Sequence, residues 1–117
     1  MPREPRLHVR DILESIAAIR EYTAGMTFEQ FSADRKTVDA VVRNLEVIGE
    51  AAGKLSEKAR AQAPDIEWRK MVAMRNVLSH QYFGISKPIV WDVVAHKLAP
   101  LEDACQRLVP CRKDKSR

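Results

Sequence analysis

Between Met74 and Ile85 the chain reads Met-Arg-Asn-Val-Leu-Ser-His-Gln-Tyr-Phe-Gly-Ile, and four of these side chains are of types that can act on a phosphodiester. His80 contributes an imidazole, the side-chain type that can take up or return a proton near neutral pH. The guanidinium of Arg75 stays charged, and its planar fork suits the non-bridging oxygens of a phosphate. Asn76 contributes a carboxamide and Tyr82 a phenol. RNA brings its own nucleophile, the 2′-hydroxyl, so this set requires neither a metal nor a protein nucleophile. Asn76 and His80 are four residues apart and share one face of a helix that lasts that far. At about 100° per residue that face points away from the apolar stripe Met71/Met74/Leu78. Arg75 falls between the two faces, and Tyr82, seven residues later, returns to its side. By itself such a cluster also arises by chance, and a histidine at a helix C-terminus is often only a partner for the helix dipole.

The elements that must position this segment read as helices. Val9, Ile12, Leu13, Ile16 and Ile19 form one apolar stripe over about Leu7 to Tyr22. Thr23-Ala24-Gly25 ends it, with Gly25 suited to the residue after the C-cap. Thr27-Phe28-Glu29-Gln30 reads as a capping box opening a short helix. A long helix follows from about Asp34 to Leu55, with Val38, Val41, Val42, Leu45, Ile48, Ala52 and Leu55 inward and Asp39, Arg43, Glu46 and Glu50 on a polar stripe. That stripe fits a salt-bridged surface or an interface between subunits better than acid/base machinery. Gly49 and Gly53 sit beside the apolar stripe, where close approach of a neighbouring helix would justify their cost in a helix interior. Ser56 can cap a short helix through Arg60, before Pro64. Asp65 is the expected cap of the helix carrying the cluster, Ile66 to about Ser79. The last helix is expected from Pro88, with Ser86 or Lys87 ahead of it and Val90, Val94, Leu98, Leu101, Cys105 and Leu108 inward. Pro100 predicts a kink or break. Trp68 and Trp91 read as packing anchors. No segment alternates with the period of a strand, so the expected class is all-α: an up-down four-helix bundle with a short extra helix.

The chain has 117 residues, 20 Lys+Arg against 16 Asp+Glu and a net charge of +4, a mild excess that permits a nucleic-acid partner without demanding one. Part of that excess is a basic tail, Arg112, Lys113, Lys115 and Arg117. Two cysteines, Cys105 and Cys111, make no disulfide framework and read as reduced structural thiols. His8 and His96 have no metal-like spacing with each other or with cysteine, and no Gly-rich phosphate loop is present. With no secretory signal and no apolar run of membrane-spanning length, the expected location is the cytoplasm.

The string Arg75-x-x-x-x-His80-x-Tyr82 resembles the RxxxxHxY signature of the HepT family, a branch of the HEPN ribonucleases. Asp34-Arg35-Lys36-Thr37-Val38 and Arg43-Asn44-Leu45-Glu46-Val47-Ile48-Gly49-Glu50-Ala51 are similar to that family's second-helix signature. Trp68-Arg69 and Ile89-Val90-Trp91 also fit, and the resemblance covers roughly residues 7 to 108. It implies one HEPN domain over residues 1–110, followed by the tail at 111–117, and a two-fold dimer whose two motifs face each other across a cleft. It implies a metal-independent RNA endonuclease with no cofactor, acting as the toxin of a type VII toxin–antitoxin pair. Arg75 and His80 would then be catalytic, as phosphate clamp and acid/base, and Asn76 would orient the site. Tyr82 would receive AMP from an MntA-like nucleotidyltransferase antitoxin, adding charge and bulk at the mouth of an anion-binding cleft. The alternative is a catalytically inactive HEPN dimer that serves only as the nucleotidyltransferase's binding partner.

Overall fold

A computed structural model of the chain describes residues 3–73 and 86–108, and these are helical with no strand among them. Helix α1, Arg3–Thr23, starts about a turn earlier than its apolar stripe predicts. Val9, Ile12, Ile16 and Ile19 are fully buried. The chain leaves α1 as expected, with Gly25 at φ +76°, a conformation that L side chains rarely adopt. The Thr23 hydroxyl donates to the Ile19 carbonyl at 2.9 Å.

Thr27 opens α2, Phe28–Ala33, through the predicted capping box: its Oγ1 accepts from Gln30 N at 3.1 Å, while Thr27 N donates to Gln30 Oε1 at 2.9 Å. Asp34 then caps α3, Arg35–Lys54, accepting from Thr37 N at 3.1 Å. That backbone bond, first among several causes, holds the Asp34 carboxyl below the usual carboxylate range. Val38, Val41, Val42, Leu45, Ile48 and Ala52 are buried on α3, which packs chiefly against α1. Burying an aliphatic side chain of this size contributes roughly 1.5–3 kcal/mol.

The polar stripe of α3 lies on the surface in ion pairs, with Arg35–Asp39 at 3.9 Å, Arg43–Glu46 at 3.5 Å and Lys54–Glu50 at 3.8 Å. Pairs this exposed add little stability. At Gly53 the reason expected for a glycine does not hold. The nearest neighbour of a Cβ placed there is Val72 Cγ1 at 3.6 Å, an ordinary contact. Gly53→Ala is therefore expected to stabilise the fold by about 0.5–1 kcal/mol, because alanine costs less backbone entropy in a helix. Urea unfolding checks this, and a lowered midpoint would mean that something else needs the space.

Ser56 caps α4, Glu57–Ala61, accepting from Ala59 N at 3.1 Å. The next helix, α5, covers residues 68–73 and starts two residues later than predicted. Asp65 is not its cap; its carboxylate accepts from Arg107 at 3.2 Å. Ser86 caps α6, Lys87–Asp92, accepting from Ile89 N at 3.3 Å. Trp91 packs its ring 4.9 Å from Phe31 and 6.3 Å from Phe28, so both tryptophans do serve as anchors.

The break expected at Pro100 lies just upstream, as a π-helical turn over Val93–Lys97, and Pro100 is the third residue of α7, Leu98–Arg107. Proline cannot donate to the carbonyl four residues back and its ring crowds that group. The π turn interrupts the α-helical ladder there. Leu98, Leu101, Ala104 and Cys105 are buried on α7, and Arg20 Nη1 on α1 donates to Glu102 Oε1 on α7 at 2.5 Å. Burial pushes the Cys105 thiol up to about 12, with Glu102 adding to the effect.

Candidate functional site

The four residues that could act on a phosphodiester, Arg75, Asn76, His80 and Tyr82, lie outside the described residues, as do Met74, Leu78 and Cys111. What the structure describes is the framework on either side of them. On the entry side stands Trp68, the first residue of α5, 7% exposed. Its indole Nε1 donates to two backbone carbonyls, Arg60 O at 3.1 Å and Ala63 O at 3.0 Å. Arg60 in turn donates through Nε and Nη2 to the carbonyl of Leu55, at 3.2 and 3.1 Å. One run of hydrogen bonds thus ties the end of α3 to α4 and α4 to the start of α5. Arg107, at the end of α7, pairs with Asp65 at 3.2 Å and with Asp103 at 3.5 Å, fastening the loop ahead of α5 to the last helix.

On the exit side, the Ser86 cap fixes where α6 begins, and Lys87 Nζ donates to the Ser32 carbonyl at the end of α2 at 3.0 Å. Trp91 then sits against the α2 rings. The stretch from 74 to 85 is thus bounded by two packed tryptophans, Trp68 at the start of α5 and Trp91 on α6. Sequence reasoning singled out both indoles but missed the Arg60 and Lys87 contacts. An arginine eight residues ahead of a tryptophan carries no periodic signal, and a lysine reaching a carbonyl 55 residues away carries none at all.

Elsewhere the chemistry is sparse. No group of three or more His, Cys, Asp or Glu side chains that could hold a metal ion occurs among the described residues. His96, on the π turn, is exposed, and its Nδ1 lies 2.9 Å from Asp92 Oδ1 at the end of α6. His8 is half-buried. A shallow hollow lined by Met26, Gln30, Ala33, Asp34, Arg35 and Lys36 opens beside the α2–α3 corner. It brings no imidazole or thiol together with its charges. No helix among the described residues is long and apolar enough to cross a membrane.

Comparison with known proteins gives the framework its family. Residues 12–108 match the family described as Ribonuclease HepT-like. A candidate RNase of Methanocaldococcus jannaschii, MJ0127, is 43% identical over 99 residues, which cover 84% of this chain and 82% of that protein. The probable ribonuclease HepT of Thermococcus cleftensis is 37% identical over 108 residues, 92% of this chain and 98% of the relative. A candidate RNase of Caldanaerobacter subterraneus, TTE0752, is 31% identical over 111 residues, 95% and 99% of the two chains. No solved structure matches at a significant level. A match over residues 12–108, from within α1 to the end of α7, on a framework without a strand among the described residues, places this chain in the HepT-like ribonuclease family.

Proposed function

We propose that this chain is a metal-independent RNA endonuclease and the toxin of a type VII toxin–antitoxin pair, working in the cytoplasm. Its unit is a HEPN-type four-helix bundle that pairs about a two-fold axis, so that two copies of the 75–82 segment flank one cleft. Arg75 neutralises the charge that builds on the scissile phosphate. His80 removes the proton of the 2′-hydroxyl and returns one to the leaving 5′-oxygen, and Asn76 orients the pair. A cognate nucleotidyltransferase silences the site by transferring AMP from ATP to the Tyr82 hydroxyl, releasing pyrophosphate.

The observation that carries this reading is the family match over residues 12–108, which runs through Arg75, His80 and Tyr82. It agrees with relatives bearing RNase names along nearly their whole length. The chemistry agrees as well: an imidazole and a guanidinium suffice for transesterification by an internal hydroxyl.

One assay tests both halves. The purified chain is expected to cut single-stranded RNA in EDTA, and to stop when incubated beforehand with ATP, magnesium and the nucleotidyltransferase. Tyr82→Phe is expected to cut at the same rate before and after that treatment. Cleavage that needs an added metal would overturn the mechanism. AMP transfer to Tyr82→Phe would overturn the switch. Stable binding of the nucleotidyltransferase with no cleavage under any condition would leave the inactive-dimer alternative in its place.

A further inference from the structure

We propose that Trp68 is a positioning residue for the cleaving segment, acting through its indole N–H, an inference that rests on reading Arg75 and His80 as catalytic. Packing alone does not require the geometry seen here. A tryptophan buried only for its rings needs one acceptor for its nitrogen, yet this N–H is shared between two carbonyls, at the last turn of α4 and in the loop beyond it. One of those carbonyls belongs to Arg60, whose own guanidinium holds the Leu55 carbonyl at the end of α3 through two nitrogens. The indole is thereby tied to the end of α3 through the main-chain carbonyl and the guanidinium of Arg60.

Trp68 is also the first residue of α5, so whatever fixes its ring fixes the origin of that helix. At about 1.5 Å per residue α5 carries the chain roughly 7.5 Å from Trp68 to Ala73. A tilt of about 10° at the origin then moves the far end by about 1.3 Å, and Arg75 is two residues further on. Displacements near 1 Å at a reacting group cost on the order of a hundredfold in rate. Further along α5, Val72 faces Gly53 on α3, a residue with no side chain to brace it.

The test compares Trp68→Phe with the unaltered chain, in cleavage assays and by NMR of the imidazole signals of His8, His80 and His96. Trp68→Phe keeps an aromatic ring and removes the N–H. Well below its melting temperature it is expected to lose about tenfold or more in kcat with KM unchanged. Only the His80 signals should move. Arg60→Ala, which alters a half-buried side chain and leaves the indole in place, should show the same split to a smaller degree, and it stands in if Trp68→Phe does not fold. A kcat per folded molecule equal to that of the unaltered chain, with the His80 signals in place, overturns the proposal and leaves the nuclease reading intact. If the unaltered chain cuts no RNA, the nuclease reading falls, and the imidazole signals alone then decide whether Trp68 sets the position of His80.

Discussion

His80→Ala is expected to reduce RNA cleavage by about 10²–10⁴-fold, the usual contribution of a positioned acid/base group. The proposed reaction moves two protons, one off the 2′-hydroxyl and one onto the leaving oxygen. Neither can be handled near neutral pH by arginine, whose guanidinium does not titrate there. Arg75→Ala is a different loss, of charge stabilisation, and the two changes together should cost less than their sum because they serve one transition state. The measurement is the initial rate of cleavage of a labelled single-stranded RNA in EDTA, with circular dichroism to show that helix content is unchanged. Growth arrest on expression in bacteria gives the cellular counterpart. Cleavage by His80→Ala at the rate of the unaltered chain would remove the imidazole from the mechanism.

The largest stability effect is expected at Phe31, well ahead of Trp68 in sequence but tied through Trp91 to the exit of the same segment. Phe31→Ala should destabilise the fold by about 3–5 kcal/mol, the range for deleting a fully buried aromatic ring. Phe31 is 0% exposed and its ring lies 4.9 Å from that of Trp91. Helix α2 has only six residues, too few to persist on its own propensity, so its docking rests on this one buried side chain and the half-buried Phe28. At roughly 4 °C per kcal/mol the melting temperature should fall by about 10–20 °C. Phe31→Leu, which keeps most of the volume, should lose clearly less. A fall below about 1 kcal/mol for the alanine variant, read from urea unfolding, would mean that Trp91 finds other cover.

The helices were largely legible because their signals are local. The stripe Val9/Ile12/Ile16/Ile19 has a period that can only be satisfied by one buried helix face, and all four are buried. The caps read at Thr27 and Ser56 are single side chains bonding three residues ahead, and both form; of the two residues offered ahead of Pro88, Ser86 is the one that caps. Asp65 failed as a cap because a distant partner, Arg107, takes its carboxylate, which no local pattern reveals. The π turn left a trace that went unread. The inward positions 90, 94 and 98 step by four and four, whereas 98, 101, 105 and 108 return to the alternation of a regular α-helix. Two steps of four run ahead of 3.6 residues per turn, and the wider turn over Val93–Lys97 absorbs the excess. Arg75, Asn76, His80 and Tyr82 were legible by type and spacing as candidates, with their roles supplied by the resemblance, and all four lie outside the described residues. Their framework was not, because Trp68, Arg60 and Leu55 are joined through backbone carbonyls, and a sequence pattern carries no information about which carbonyl is left without a partner.

Cys105 gives the chain a built-in gauge of its own integrity. Its thiol is buried and held at about 12, against an ordinary 9.0. The group is neutral in the native state up to that range, so it favours the folded form below pH 9 and loses that advantage as the pH climbs towards 12. The thiolate is the form that attacks an alkylating reagent, so at pH 8 labelling reaches Cys105 only in molecules whose last helix has come away from the first. With Cys111 replaced by serine, the labelling rate at Cys105 would count those openings directly. Each substitution discussed above could then be ranked without any RNA in the tube.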